Sequence, residues 1–140
     1  MAAKDVYHDS VVRALQKDGW TITHDPLIIK YGLRNMLIDL GAERVLAAER
    51  DGKRIAVEIK SFLKPSPIQD LKEAAGQFLL YDEALEDSPT ESDRLLYVAI
   101  RETAYNTVFN DDAPRRLLRR GKLRLIVFDE IDEVIKQWIP

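Results

Sequence analysis

The sequence predicts an α/β fold, a central mixed sheet with helices packed on it. Three observations carry this expectation. Leu95–Ile100 is continuously apolar, as suits a strand covered on both faces, and Leu123–Phe128 reads as another buried strand. Between the extended segments lie stretches with apolar residues at helical spacing. The pair Asp51-Gly52, flanked by strand-like segments, is a local signal for a two-residue hairpin, because Asp-Gly tolerates positive φ angles.

The elements follow in order. Tyr7, Val11, Ala14 and Leu15 recur on one helical face, so a first helix is expected from about Lys4 to Asp18, stopped by Gly19. Trp20–Thr23 alternates as a strand, and Leu27–Tyr31 is a second extended piece after Pro26. Arg44–Arg50 and Lys53–Ser61 form the two arms of the hairpin. Ser66 then caps a long helix, with Pro67 at its first position and Gln69 completing a capping box. The apolar stripe of this helix reads Ile68, Leu71, Ala75, Phe78 and Leu85. The Leu95–Ile100 strand leads to a helical stretch near Pro114–Arg120 that ends at Gly121. After the Leu123–Phe128 strand, Asp129 is expected to cap a final helix through Trp138.

A chain of 140 residues fits one domain, 1–140, and 46% apolar residues suffice for a packed core. No apolar run approaches the ~20 residues that span a bilayer. The start, Met1-Ala2-Ala3-Lys4-Asp5, has no apolar signal region, so no membrane association and a cytoplasmic location are the default expectations. The absence of cysteine excludes disulfides and thiolate metal sites. A net charge of −3 does not announce a nucleic-acid-binding protein. The charge is uneven, though. Arg115, Arg116, Arg119, Arg120, Lys122 and Arg124 form a basic block, and Glu83, Glu86, Asp87, Glu91 and Asp93 an acidic one. Solvated surface is the plain reading of both.

The chemistry centres on a D/E-x-K tripeptide, of which the sequence holds three. Asp51-Gly52-Lys53 is the expected turn. Asp70-Leu71-Lys72 is on a helix, where residues two apart do not share a face. Glu58-Ile59-Lys60 is on a strand, where they do. With Asp51-Gly52 as the turn, Arg50 opposes Lys53, Glu58 faces Val45 and Lys60 faces Glu43. One face of the ribbon then carries Glu43, Val45, Ala47, Glu49, Arg54, Ala56, Glu58 and Lys60. The other carries Leu46, Ala48, Ile55, Val57 and Ile59 and is the core face. Asp39 shares parity with Glu43 and joins the polar face unless a bulge at Gly41 intervenes. Two carboxylates offer hard oxygen ligands to Mg²⁺ or Mn²⁺. A cation held there lowers the pKa of a bound water and neutralises charge on phosphate, and a neighbouring lysine stabilises the transition state. The competing structural reading is an exposed polar strand face with a Glu43–Lys60 ion pair.

Ile38-Asp39-Leu40 followed by Ile55-Ala56-Val57-Glu58-Ile59-Lys60-Ser61-Phe62 resembles the D…ExK signature of PD-(D/E)xK, restriction-endonuclease-like folds. Ile38 stands where the signature has proline. Gly76-Gln77-Phe78-Leu79-Leu80-Tyr81 resembles the glutamine- and tyrosine-bearing helix that follows the motif in several such nucleases. A more specific resemblance, covering nearly the full chain, is to the XisH family of cyanobacteria. It rests on His8 with Ala14–Pro26, on Asp39–Phe62, and on Val127-Phe128-Asp129 through Trp138-Ile139. That resemblance implies control of programmed DNA-element excision in heterocyst-forming cells. It also implies a small XisI-like partner protein and a separate site-specific recombinase that performs strand exchange. The nuclease signature implies DNA as substrate, Asp39 and Glu58 as metal ligands, the Ile59 carbonyl as a third, and Lys60 as the catalytic lysine. Glu43 rivals Asp39 for the first carboxylate. His8 and Gln77 are further candidates, each with a packing role as alternative, as is Tyr81. The sequence does not fix the oligomeric state, and because small nucleases of this fold usually dimerise, the resemblance leaves a homodimer open. Two functions remain in play: a metal-dependent nuclease acting on DNA, and a non-catalytic nuclease-like factor that binds a partner protein or a DNA structure.

Overall fold

A computed structural model describes residues 5–44 and 52–140. Among them the chain forms a six-stranded mixed sheet flanked by helices, with a separate two-stranded ribbon. The expected α/β class therefore stands. The elements are α1 (His8–Lys17), β1 (Thr21–His24), β2 (Leu27–Tyr31), β3 (Arg34–Ile38), β4 (Leu40–Arg44), β5 (Lys53–Ile59), α2 (Pro67–Asp87), β6 (Leu95–Arg101), α3 (Glu102–Val108), α4 (Asp112–Arg119), β7 (Leu125–Asp129) and β8 (Val134–Ile139). The sheet order is β1-β4-β5-β6-β7-β8, and β2 pairs only with β3. The central strands β5, β6 and β7 run parallel, and the outer pairings are antiparallel. Parallel neighbours need helical crossovers, which α2 and the α3–α4 segment supply.

Two apolar layers sandwich the sheet. On one face α1 packs Val11 and Leu15 against Val57, Ile59, Ala99 and Phe128. On the other, α2, α3, α4 and the β2–β3 ribbon pack Leu71, Phe78, Phe109, Leu118, Leu27 and Ile38 against Ala56, Val98, Ile100 and Val127. Strand β5 thus has both faces covered. Its Ile55/Val57/Ile59 side is core, as its alternation predicts, but the Ala56/Glu58 side is not the open surface expected of it. Full burial of one such aliphatic side chain contributes roughly 1.5–3 kcal/mol.

Local signals account for most element ends. Gly19 (φ +92°) and Gly121 (φ +65°) close the segments after α1 and α4 in a backbone region that other residues rarely enter. Ser66 Oγ accepts the Gln69 N–H at 3.3 Å, which caps α2. The buried face of α2 uses Leu71, Ala74, Phe78, Ala84 and Leu85, whereas Ile68 is exposed. The guanidinium of Arg94, buried at 3% exposure, donates to the carbonyls of Ala42 and Ile55 and ties β4 and β5 together.

Three expectations are corrected. The final segment is an edge strand, β8, not a helix. Asp129 Oδ1 accepts the N–H groups of Ile131 and Asp132 and caps a turn, and Glu133 (φ +56°) completes the reversal. The strand paired with the Glu58 strand is Leu40–Arg44, which the sequence reading does not expect; beyond Arg44, the expected arm Arg44–Arg50 lies outside the described residues. Finally, Lys53 pairs with Arg44 and not with Arg50. The Asp51-Gly52 turn, like Val45, Ala47 and Glu49, involves positions outside the described residues.

Candidate active site

The corrected register brings the two acids together. Strands β4 and β5 pair Leu40 with Val57, Gly41 with Ala56 and Glu43 with Arg54. One step further along, Asp39 falls beside Glu58. Asp39 stands between Ile38, the last residue of the ribbon, and Leu40, the first of the main sheet. It occupies the corner where the chain changes sheets. Its backbone N–H donates to Glu58 Oε1 at 3.3 Å, and the Ile59 N–H donates to Asp39 Oδ2 at 2.8 Å. The pair is therefore locked from both directions. The irregularity feared at Gly41 lies in β1, between Ile22 and His24, and leaves the β4–β5 pairing regular.

Lys60 follows β5, and its N–H donates to the Ala99 carbonyl at 3.0 Å. Its ammonium lies 3.8 Å from Glu58 Oε2, with the Glu58 side chain 9% and the Lys60 side chain 22% exposed. The expected Glu43–Lys60 pair is absent. Glu43 bonds Arg54 at 3.1 Å, so it serves a structural network that also takes in Glu91 and Asp93. Glu43 is thereby placed away from the Asp39–Glu58 pair.

Electrostatics mark the pair as unusual. Burial, and then the adjacent Asp39 charge, push the Glu58 carboxyl up to about 8, with Lys60 opposing only in part. Tyr81 is pushed up to about 12 by burial and by the charges of Glu58 and Asp39, so its hydroxyl stays a hydrogen-bond donor at neutral pH. One turn earlier, Gln77 Oε1 is buried with no partner. Tyr81 lies close enough to the acidic pair to feel both charges, and Gln77 shares its face of α2.

The other sequence candidates separate from this cluster. His8 is buried, and its Nε2 pairs with Asp25 Oδ1 at 2.8 Å. No local signal in the sequence points to this pair, whose members lie 17 residues apart. Asp70, set aside as the wrong kind of D-x-K, is buried at 7% exposure and its Oδ2 has no partner. The spacing Asp70, Gln77, Tyr81 (i, i+7, i+11) was the available signal that all three share one face of α2. Among the described residues no three His, Asp or Glu side chains cluster closely enough to hold a metal ion by themselves. Among the same residues no helix is long and apolar enough to cross a membrane.

A family model described as XisH protein matches residues 1–136. An XisH family protein from Nostoc punctiforme PCC 73102 is 42% identical, with 97% of this chain and 100% of that one covered and a TM-score of 0.84. An fdxN element excision controlling factor protein from Anabaena variabilis is 43% identical, with coverage of 98% and 100% and a TM-score of 0.84. No curated protein matches the sequence.

Proposed function

Because the chain belongs to the XisH family, we propose that it controls excision of a DNA element through a metal-dependent, phosphodiester-cleaving site built on Asp39, Glu58 and Lys60. The observation that carries this reading is the interlocked geometry of Asp39 and Glu58, with Lys60 at 3.8 Å. A buried pair of acids with one distant cation is costly unless something positive joins it. The donor set fits Mg²⁺ or Mn²⁺. Asp39, Glu58 and the Ile59 carbonyl supply hard oxygens, and Mg²⁺ keeps several waters, so two carboxylates suffice. The cation would activate water and neutralise phosphate charge. The chain's own groups do the rest. The Ile59 N–H fixes the Asp39 carboxylate, Lys60 presents an ammonium where phosphate charge develops, and Tyr81 offers a neutral donor from α2. Calorimetry with Mn²⁺ tests the reading. Heats of binding are expected for the wild type and not for Asp39→Ala with Glu58→Ala, and equal heats from both would sink it.

DNA contact is expected at α4. Of its basic block, Arg115 donates to the Phe109 carbonyl, Arg119 pairs with Asp112 and Arg124 pairs with Asp82. Arg116, Arg120 and Lys122 are exposed with no partner among the described residues. Replacing these three by glutamine should lower the salt slope of DNA binding by roughly 0.9 per lost phosphate contact. An unchanged slope would reduce the block to solvated surface.

A second reading draws on a different observation. The β2–β3 ribbon leaves Ile28, Leu37 and the tip residue Leu33 exposed, and exposed apolar patches often mark protein contacts. On that reading the fold is a non-catalytic factor that docks a small partner of the XisI kind. Strand exchange belongs to a separate site-specific recombinase on either reading. Cleavage by the wild type would decide against the non-catalytic version.

A further inference from the structure

A cavity of about 180 Å³ opens beside Lys60, lined by residues that include Asp5, Lys60, Lys64, Asp70 and Glu73. Phe62, in its wall, holds a positive φ of +52°, a strained backbone region that non-glycine residues enter mainly at functional sites. Most of the charged groups are already matched. Lys64 Nζ lies 2.8 Å from both Glu73 oxygens. Asp5 Oδ1 accepts the Tyr7 N–H at 2.9 Å. Two groups are left over. Lys60 has only the 3.8 Å approach to Glu58, which exceeds hydrogen-bonding distance. Asp70 is 7% exposed, and its Oδ2 is buried with no hydrogen-bond partner among the described residues.

A buried carboxylate oxygen without a partner calls for a donor. The helix N-terminus favours an acid at this point of α2, but the Asp70 and Gln69 N–H groups donate to Ser66, not to the Asp70 carboxylate. Lysine has a flexible four-carbon stem with three donors and can reach either of two acceptors. We propose that Asp70 is a positioning residue for Lys60: the cavity seats the lysine ammonium between Glu58 and Asp70, and Asp70 fixes its direction toward the acidic pair. The inference deepens the nuclease reading in that it gives the catalytic lysine a holder on a second element, α2. Such a holder sits on a rigid helix and leaves Glu58 free for other contacts.

The test reads the Lys60 side chain directly. The Nζ resonance of Lys60, assigned by its loss in Lys60→Ala, is followed by NMR in wild type, Asp70→Asn, Asp70→Glu and Glu73→Gln. Asp70→Asn keeps the volume of the buried side chain, and backbone amide shifts away from the cavity verify the fold. The expected result is a large Lys60 displacement in Asp70→Asn, a small one in Glu73→Gln, and recovery toward wild type in Asp70→Glu. In cleavage assays Asp70→Asn should lower kcat by up to about a hundredfold with KM unchanged, the mark of misplacement. A Lys60 resonance that ignores Asp70→Asn overturns the inference. The resonance decides the matter even in a wild type that cuts no DNA, and in that case it is the nuclease reading that falls.

Discussion

On the proposed nuclease reading, replacing Lys60 by alanine is expected to slow metal-dependent DNA cleavage by about a hundred- to a thousandfold, the usual loss for a group that stabilises developing charge. The fold should survive. The backbone bond from Lys60 N–H to the Ala99 carbonyl does not depend on the side chain. At 22% exposure the side chain fills no sealed core position, and substitutions at such surface positions usually shift stability by about 0.5 kcal/mol or less. One secondary effect has a definite sign. Lys60 holds the Glu58 carboxyl down, so its loss lets that carboxyl rise further. The variant should therefore melt lower than wild type at alkaline pH and near wild type at pH 4.5. The assay compares branched and linear DNA with melting measured alongside. A variant that cuts as fast as wild type removes Lys60 from the mechanism.

Much of the fold is legible because its signals are local. The Gly19 and Gly121 stops, the Ser66 cap and the apolar runs of β6 and β7 each depend on a few adjacent residues. The failures have non-local causes. Val134, Ile135, Trp138 and Ile139 have helical spacing, but β7 offers an open edge, and pairing with it overrides the periodicity. Strand β3 is short, exposed on one side and pairs only with β2, so nothing in its composition sets it apart from a loop. The first hairpin misled through its turn signal. Asp-Gly is a strong local preference, but pairing Leu40 with Val57 buries both residues completely, and this burial fixes the register.

The clustering of Asp39, Glu58 and Lys60 was legible through parity rather than through pairing. Glu58 and Lys60 share a face in any register, and Asp39 falls in step with them because the true pairing keeps the same parity as the expected one. The Glu43–Lys60 ion pair required the exact register and therefore failed, with Glu43 meeting Arg54 instead. Burial of the acidic face was not legible at all. It depends on the β2–β3 ribbon and α2 covering that side of the sheet, a tertiary event that strand alternation does not encode. Asp70 and the His8–Asp25 pair were missed for the same reason, since each owes its setting to segments distant in the chain.

Exchanging Glu58 for glutamine is expected to stabilise the protein, by an amount that grows between pH 4.5 and 8. In the folded chain this carboxyl sits at about 8, against an ordinary value of 4.5. Between those values the folded state keeps a proton that the unfolded state releases. Stability contributed by the neutral acid is thus complete below pH 4.5 and is lost as pH rises through about 8. Each unit of displacement corresponds to about 1.36 kcal/mol, so the total loss is of the order of a few kcal/mol. Glutamine keeps the volume and the acceptor for the Asp39 N–H but carries no charge to bury. Urea denaturation from pH 4.5 to 9 should therefore show wild-type stability falling and Glu58→Gln nearly level, and parallel curves would refute the assignment. Mn²⁺ gives the same experiment a functional arm. A cation bound only by the folded state at a hundred times its Kd adds about 2.7 kcal/mol. Above pH 8 that gain should appear in wild type and vanish in Glu58→Gln. A gain equal in both proteins would place the cation away from Glu58, and the acidic pair would then be buried for some purpose other than holding metal.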